Sequence, residues 1–323
     1  MRRLPLPVAG AALVLALTAL LTSCGGHHGG NGAQGDDAGD DAGGDGAGDD
    51  AVGVGADDGG DGGFLGDGAT TSNCAPGSDL VYVASEERIL YSYDPRQNVF
   101  TQVANIDCAG GSYVNSMAVD RDAVAWINYG DGSLWKVSTQ TPGCVATGFK
   151  PNQGGVALFG MGFSAKTSGG NDETLFICDL GGGGLGYIDL STMTLARFGP
   201  FAGAYANRAA ELTGTGDARL FGFFAGSPLG DASAASVAQI DPVTEAATQD
   251  WPLPTIDTGS DWAFSFWGGD FYLYTADKYN MSNPDTTVTR FRPSDGSLTV
   301  LSPNIGFRIV GAGSSTCAPT TTQ

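Results

Sequence analysis

From residue 74 onward, apolar and polar residues alternate in short runs. Examples are Leu80-Val81-Tyr82-Val83, Ile89-Leu90-Tyr91-Ser92-Tyr93, Val124-Ala125-Trp126-Ile127 and Leu134-Trp135-Lys136-Val137. Runs this short, with a period of two and with Gly, Asp, Asn, Pro and Ser between them, predict strands joined by tight turns. No apolar stretch with the 3.6-residue period reaches helix length, so the region reads as all-β. Upstream the pattern is different: an uncharged run from Val8 to Leu21, then a segment with almost no large apolar side chain.

The strands recur in phase. One unit reads Ile89-Leu90-Tyr91-Ser92-Tyr93-Asp94-Pro95, and its counterparts end at Ser138, Asp189, Asp241 and Arg292, about 50 residues apart. An apolar strand precedes each unit: Leu80–Val83, Val124–Ile127, Thr174–Cys178, Arg219–Phe224 and Asp270–Thr275. Before most of these comes a run of smaller residues, such as Ser116-Met117-Ala118-Val119 or Gly160-Met161-Gly162-Phe163. A fixed period of this length marks a repeat architecture. The order of small-residue strand, aromatic strand, Asp turn and outer strand resembles a β-propeller blade, and the group it is most similar to is that of the NHL and quinoprotein-like propellers. The resemblance covers residues 75 to 317 and implies about five four-stranded blades. Six stay open, because the third and fourth units carry insertions. A β-sandwich is the alternative fold.

On the propeller reading, Arg308-Ile309-Val310-Gly311-Ala312-Gly313 is an innermost strand with no blade after it, while the first blade lacks one before Leu80. The C-terminal strand is therefore expected to complete the first blade, which removes two exposed edges. This arrangement brings Cys74 and Cys317 close enough to form a disulfide across the ring closure. Cys108 and Cys144, each placed at the end of an outer strand in neighbouring blades, are expected to form a second.

The N-terminal run after Arg2-Arg3 is too short to span a bilayer and suits a signal peptide. It ends in Leu21-Thr22-Ser23-Cys24, which resembles the lipobox of bacterial lipoproteins. The resemblance implies a signal peptide over 1–23, lipid on Cys24, anchorage to the lipid bilayer, and, with Gly25 in the next position, the outer membrane of a bacterial envelope. Residues 25 to 73 hold 19 Gly and 11 Asp with no Lys, Arg or Glu. Such a segment buries too little surface to offset its ordering entropy and is expected to be a disordered tether, leaving 74–323 as the propeller domain.

Charge and residue inventory narrow the chemistry. The chain carries 15 basic and 35 acidic residues, a net charge of −20, which repels nucleic acid. Its two histidines, His27 and His28, both precede the globular region, which removes histidine-based triads and zinc sites from the fold. Cys178, inside the apolar run Leu175-Phe176-Ile177-Cys178, reads as a buried thiol with nothing to activate it. Asn115, Asn207 and Asp261 each fall just before a candidate innermost strand and could share one channel mouth, an oxygen donor set suited to calcium. Two functions follow. The first is a non-enzymatic binding or scaffold module for a protein, peptide or glycan, with Tyr113 and Trp262 as exposed aromatics at the mouth. The second is a calcium-dependent hydrolase or lactonase of the kind some propellers are. The missing histidine and the absence of a clear carboxylate pair favour the first.

Overall fold

Alternating runs bounded by turn residues have one way to bury a face on each side: they pair into sheets that stack. In the computed structural model, residues 73–321 are described, apart from 142, 227–233 and 278. The expected signal peptide, Cys24 and the expected tether as far as residue 72 lie outside the described residues. The strands are β1 (Val81–Ser85), β2 (Ile89–Asp94), β3 (Val99–Asn105), β4 (Val114–Val119), β5 (Val124–Tyr129), β6 (Leu134–Ser138), β7 (Cys144–Ala146), β8 (Phe159–Ala165), β9 (Glu173–Asp179) and β10 (Gly184–Asp189). They continue with β11 (Thr194–Gly199), β12 (Ala210–Gly214), β13 (Leu220–Phe224), β14 (Ala235–Asp241), β15 (Ala246–Leu253), β16 (Asp261–Trp267), β17 (Asp270–Ala276), β18 (Thr287–Arg292), β19 (Ser297–Ser302) and β20 (Ile309–Ser314).

These form five antiparallel four-stranded sheets, ordered β20-β1-β2-β3, β4-β5-β6-β7, β8-β9-β10-β11, β12-β13-β14-β15 and β16-β17-β18-β19. The innermost strands β4, β8, β12, β16 and β20 each pack against the next, and β20 returns to β4, so the ring closes. This is a five-bladed β-propeller. The count settles on five because the chain between β11 and β12 runs as a connection with one short helical turn at Gly203–Tyr205. The first blade is closed by the C-terminal strand as expected: Val81 pairs with Ser314 and Ala84 with Gly311.

The repeated Asp has a local cause. Asp94, Asp189 and Asp241 end the third strand of their blades, and the Oδ1 of each accepts the backbone N–H two residues on, from Arg96, Ser191 and Val243. The Asx turn so formed reverses the chain into the outer strand. Ser138 does the same with its hydroxyl, accepting from the N–H of Gln140.

Small inner residues are also forced. A Cβ built on Gly160 would lie 2.1 Å from the carbonyl oxygen of Ala210, and one on Gly313 2.9 Å from Cα of Ala118. Neighbouring inner strands meet backbone to backbone at these points, and only glycine fits. Between blades, the outward faces fill with rings; in the wedge joining the last two, Phe221, Phe223, Phe264, Phe271 and Phe291 are all buried. Cys178 is fully buried, and burial pushes its thiol up to about 12.

Two disulfides form: Cys74 with Cys317, Cα atoms 5.9 Å apart, and Cys108 with Cys144, 5.3 Å apart. One placement differs from expectation. Cys144 is the first residue of β7, not at the end of an outer strand, because the connection from β6 is only a few residues long and pairs Cys144 with Val137.

Candidate functional site: a channel open at one end

Inner strands with alternating side chains turn one set towards the axis. On β12, Leu212 joins the apolar cluster between blades, which leaves Glu211 and Thr213 on the channel side. Thr213 Oγ1 lies 3.3 Å from Ser314 Oγ, which also accepts the N–H of Phe266. Ser116 Oγ donates to Glu211 Oε2 at 2.6 Å across the channel. The axis of the propeller is thus lined by hydroxyls and one acid.

Glu211 is 2% exposed. Burial pushes its carboxyl well above the usual carboxylate range, opposed only in part by the Ser116 hydroxyl and the Met161 backbone N–H. A carboxyl so placed favours its neutral, protonated form.

Where the inner strands begin, the channel opens into a cavity of about 480 Å³. Its walls include Glu86, Tyr113, Asn115, Glu211, Asp261 and Trp262. Tyr113 is 54% exposed at the rim. Asn115 Nδ2 donates to the buried Asn128 Oδ1 at 2.9 Å and to the Phe159 carbonyl at 3.2 Å, which fixes the amide between the second and third blades. Asp261 Oδ2 accepts from the Ser260 hydroxyl at 2.7 Å. Glu86 is paired with Arg308. A second hollow of about 360 Å³, walled by Pro254, Thr255, Ile256 and Asp257 among others, shares Trp262 with the first.

The other end of the channel is covered. After β20 the chain runs through Ser315 and Thr316, which are 1% and 6% exposed. Thr316 Oγ1 donates to Glu173 on the third blade, and its carbonyl lies against Gly216 of the fourth. The Pro319 carbonyl accepts from the N–H of Gly268 on the fifth. Cys317 is bonded to Cys74, whose sulfur lies 3.8 Å from an Arg121 guanidinium nitrogen on the second. A segment that reaches the turns of four blades lies across the axis. The channel is therefore a well, entered from one side.

Of the three residues expected at one mouth, Asn115 and Asp261 are there, on β4 and at the start of β16. Asn207 is not among the residues lining it. It sits in the β11–β12 connection, exposed, with a left-handed φ of 61°, three residues before β12 begins. Glu211 lines the mouth in its stead, together with Glu86. The expected aromatics Tyr113 and Trp262 both line it. Among the described residues, no group of three or more His, Cys, Asp or Glu is arranged to hold a metal ion.

No protein-family description and no curated protein sequence matches the chain. Solved structures do. Hydrazine synthase of Kuenenia stuttgartiensis matches over 74% of this chain and 69% of its own, at 14% identity and a TM-score of 0.37. A Bacteroides caccae protein of unknown function matches over 72% of this chain and 97% of its own, at 9% identity and a TM-score of 0.44. A Bacteroides thetaiotaomicron protein of unknown function matches over 70% of this chain at 13% identity and a TM-score of 0.40; the match spans 55% of that protein.

Proposed function

We propose that this protein is a non-enzymatic binding module, held to a bacterial envelope by lipid on Cys24, and that its ligand enters the open mouth of the propeller channel. The observation that carries this reading is the well itself: a cavity of about 480 Å³, aromatic on part of its rim and polar at its floor, within the range that accepts a small molecule or a single projecting side chain. The lipobox residues Leu21-Thr22-Ser23-Cys24 support the anchor, and the two disulfides support an oxidising compartment. A Gly- and Asp-rich segment between anchor and propeller would give the mouth reach from the membrane.

The site is tested by ligand-observed NMR with a fragment library on the wild type and on Trp262→Ala. Hits should be lost in the variant; hits that survive it place binding elsewhere. The anchor is tested by palmitate labelling, which Cys24→Ser should abolish. The calcium-dependent hydrolase remains the competing reading, because Asn115, Asp261 and Glu211 share the mouth. It requires a calcium-dependent rise in melting temperature that Asn115→Ala removes.

A further inference from the structure

The mouth has a charge character that selects its ligand. Among the described residues, no Lys, Arg or His lines the main cavity or the hollow beside it. Of the three carboxyls lining the main cavity, Glu86 already has Arg308 as its counter-ion, whereas the partners seen for Asp261 and Glu211 are the hydroxyls of Ser260 and Ser116 and the Met161 N–H. A phosphate, sulfate or carboxylate would meet Asp261, whose charge no cationic side chain of the lining offsets. A bare metal ion would leave the carbon half of the wall unused: Tyr113, Val114, Leu180, Trp262 and Val310 offer it no donor oxygen from their side chains beyond one phenol.

The two rings point the same way. Elsewhere in the fold aromatic faces carry cations of the chain: Lys136 Nζ sits 3.9 Å from the centre of the Trp126 ring. Among the described residues, no such cation covers Tyr113 or Trp262. An aromatic ring without a cation of its own, beside a carboxylate without a counter-ion, is the environment an organic cation prefers.

Resting on the binding-module reading above, we infer that the ligand is an organic ammonium group on an apolar body, its charge towards Asp261 and Glu211 and its carbon against Tyr113 and Trp262. Two sources share this chemistry, a free amine and a lysine side chain of a partner protein.

The inference carries a pH signature. Glu211 in the empty site favours the protonated acid; an ammonium group beside it favours the carboxylate, so binding releases a proton. The ionisable groups facing Glu211 are few. Asp261 on β16, Tyr113 and Glu86, the last paired with Arg308, share the cavity, and the buried Cys178 thiol on β9 lies behind it; β4, β8, β13 and β20 contain no ionisable residue. Affinity should therefore rise with pH, and Glu211→Gln should flatten that rise.

The experiment titrates the full propeller with n-butylammonium, choline and Nα-acetyl-lysine amide, and in parallel with n-butanol, butyrate and cellobiose, following Trp fluorescence and calorimetry. The ammonium probes should bind at least about tenfold more tightly than n-butanol, and butyrate should not bind. Asp261→Asn, at the partly exposed rim, should cost about tenfold in affinity without altering the melting temperature, which keeps the test sound if Glu211→Gln folds poorly. Tighter binding of the lysine amide than of n-butylammonium assigns a protein partner; the reverse assigns a free amine. No ammonium binding at millimolar concentration, or equal binding of n-butanol, overturns the inference. If cellobiose alone binds, and Trp262→Ala abolishes it, the ammonium inference falls while the binding-module reading stands. If ammonium binds but Trp262→Ala and Asp261→Asn leave it unchanged, the mouth is not the site.

Discussion

The two ends of the propeller channel are built from the same five inner strands and come out opposite. At the end where those strands begin, the connections stand apart and leave a cavity with a buried acid at its floor. At the end where they finish, the chain after β20 and a disulfide lie across the axis. The blades repeat around the ring; what distinguishes the two mouths is the path of the chain after β20. A symmetric fold becomes a one-sided receptacle because a single tail, Ser315 onward, is tied down over one face.

Removing the tie is the strongest way to break that contrast. Cys317→Ser should lower stability by about 2–5 kcal/mol, since the bond closes a loop spanning 243 residues. Its readouts are a fall in melting temperature and new protease cleavage after Ser315. Unchanged cleavage and melting would show that the tail is held by its hydrogen bonds alone.

Next in size, the inner wall can be forced apart. Gly160→Ala places a methyl group 2.1 Å from the Ala210 carbonyl, and overpacking of this kind should cost about 1–3 kcal/mol in a denaturant titration. Retained stability would mean that β8 and β12 can separate.

The acid at the open end gives a smaller, pH-dependent effect. The folded state raises the Glu211 carboxyl above its unfolded value, so between those two values the folded chain holds a proton that the unfolded chain has lost. Stability contributed by this group is full below the unfolded value and falls as pH rises. Glu173, at the covered end, is raised by burial too and acts with the same sign. Glu211→Gln should therefore reduce the decline in melting temperature between pH 4 and pH 7, by roughly the contribution of one buried carboxyl. A pH profile identical to wild type would mean that Glu211 is ionised in the fold. The smallest effect is expected at Tyr113→Ala. Its exposed ring should change stability by no more than about 0.5 kcal/mol while weakening whatever binds at the rim.

How far the sequence discloses this molecule depends on the range of the interaction involved. The blades are legible because each is local. The polar residues at 94, 138, 189 and 241 turn the chain within two residues, and each turn stands at the end of a third strand. The ring closure is legible from a count of strands, one missing at the start and one left over at the end, and the Cys74–Cys317 pairing follows from it. The mouth is less so. Asn115, Asn207 and Asp261 all precede or begin inner strands in the sequence, but membership of the mouth turns on a boundary of three residues. Asn207 falls in a left-handed turn outside, and Glu211, just inside β12, takes the place facing Ser116. A glutamate with Thr213 two residues on, inside a strand buried on both faces, was the available signal. The tail over the far end has no pattern of its own, since its partners are backbone groups of turns distant in the chain.

The pairing of β20 with β1 also sets an order of events during synthesis. The first blade has only three of its strands until the last inner strand has left the ribosome, so no subset of blades made earlier can close the circle. Until then β1 is an open edge, the kind on which nascent chains stick to one another, and the side of β16 that packs on β20 is uncovered. Pairing residues more than 200 positions apart is slow. A chain cut short before Ile309 would keep every other strand, yet would have no route to the closed state, and the sulfur bridge between Cys74 and Cys317 can form only once the chain has been made through Cys317.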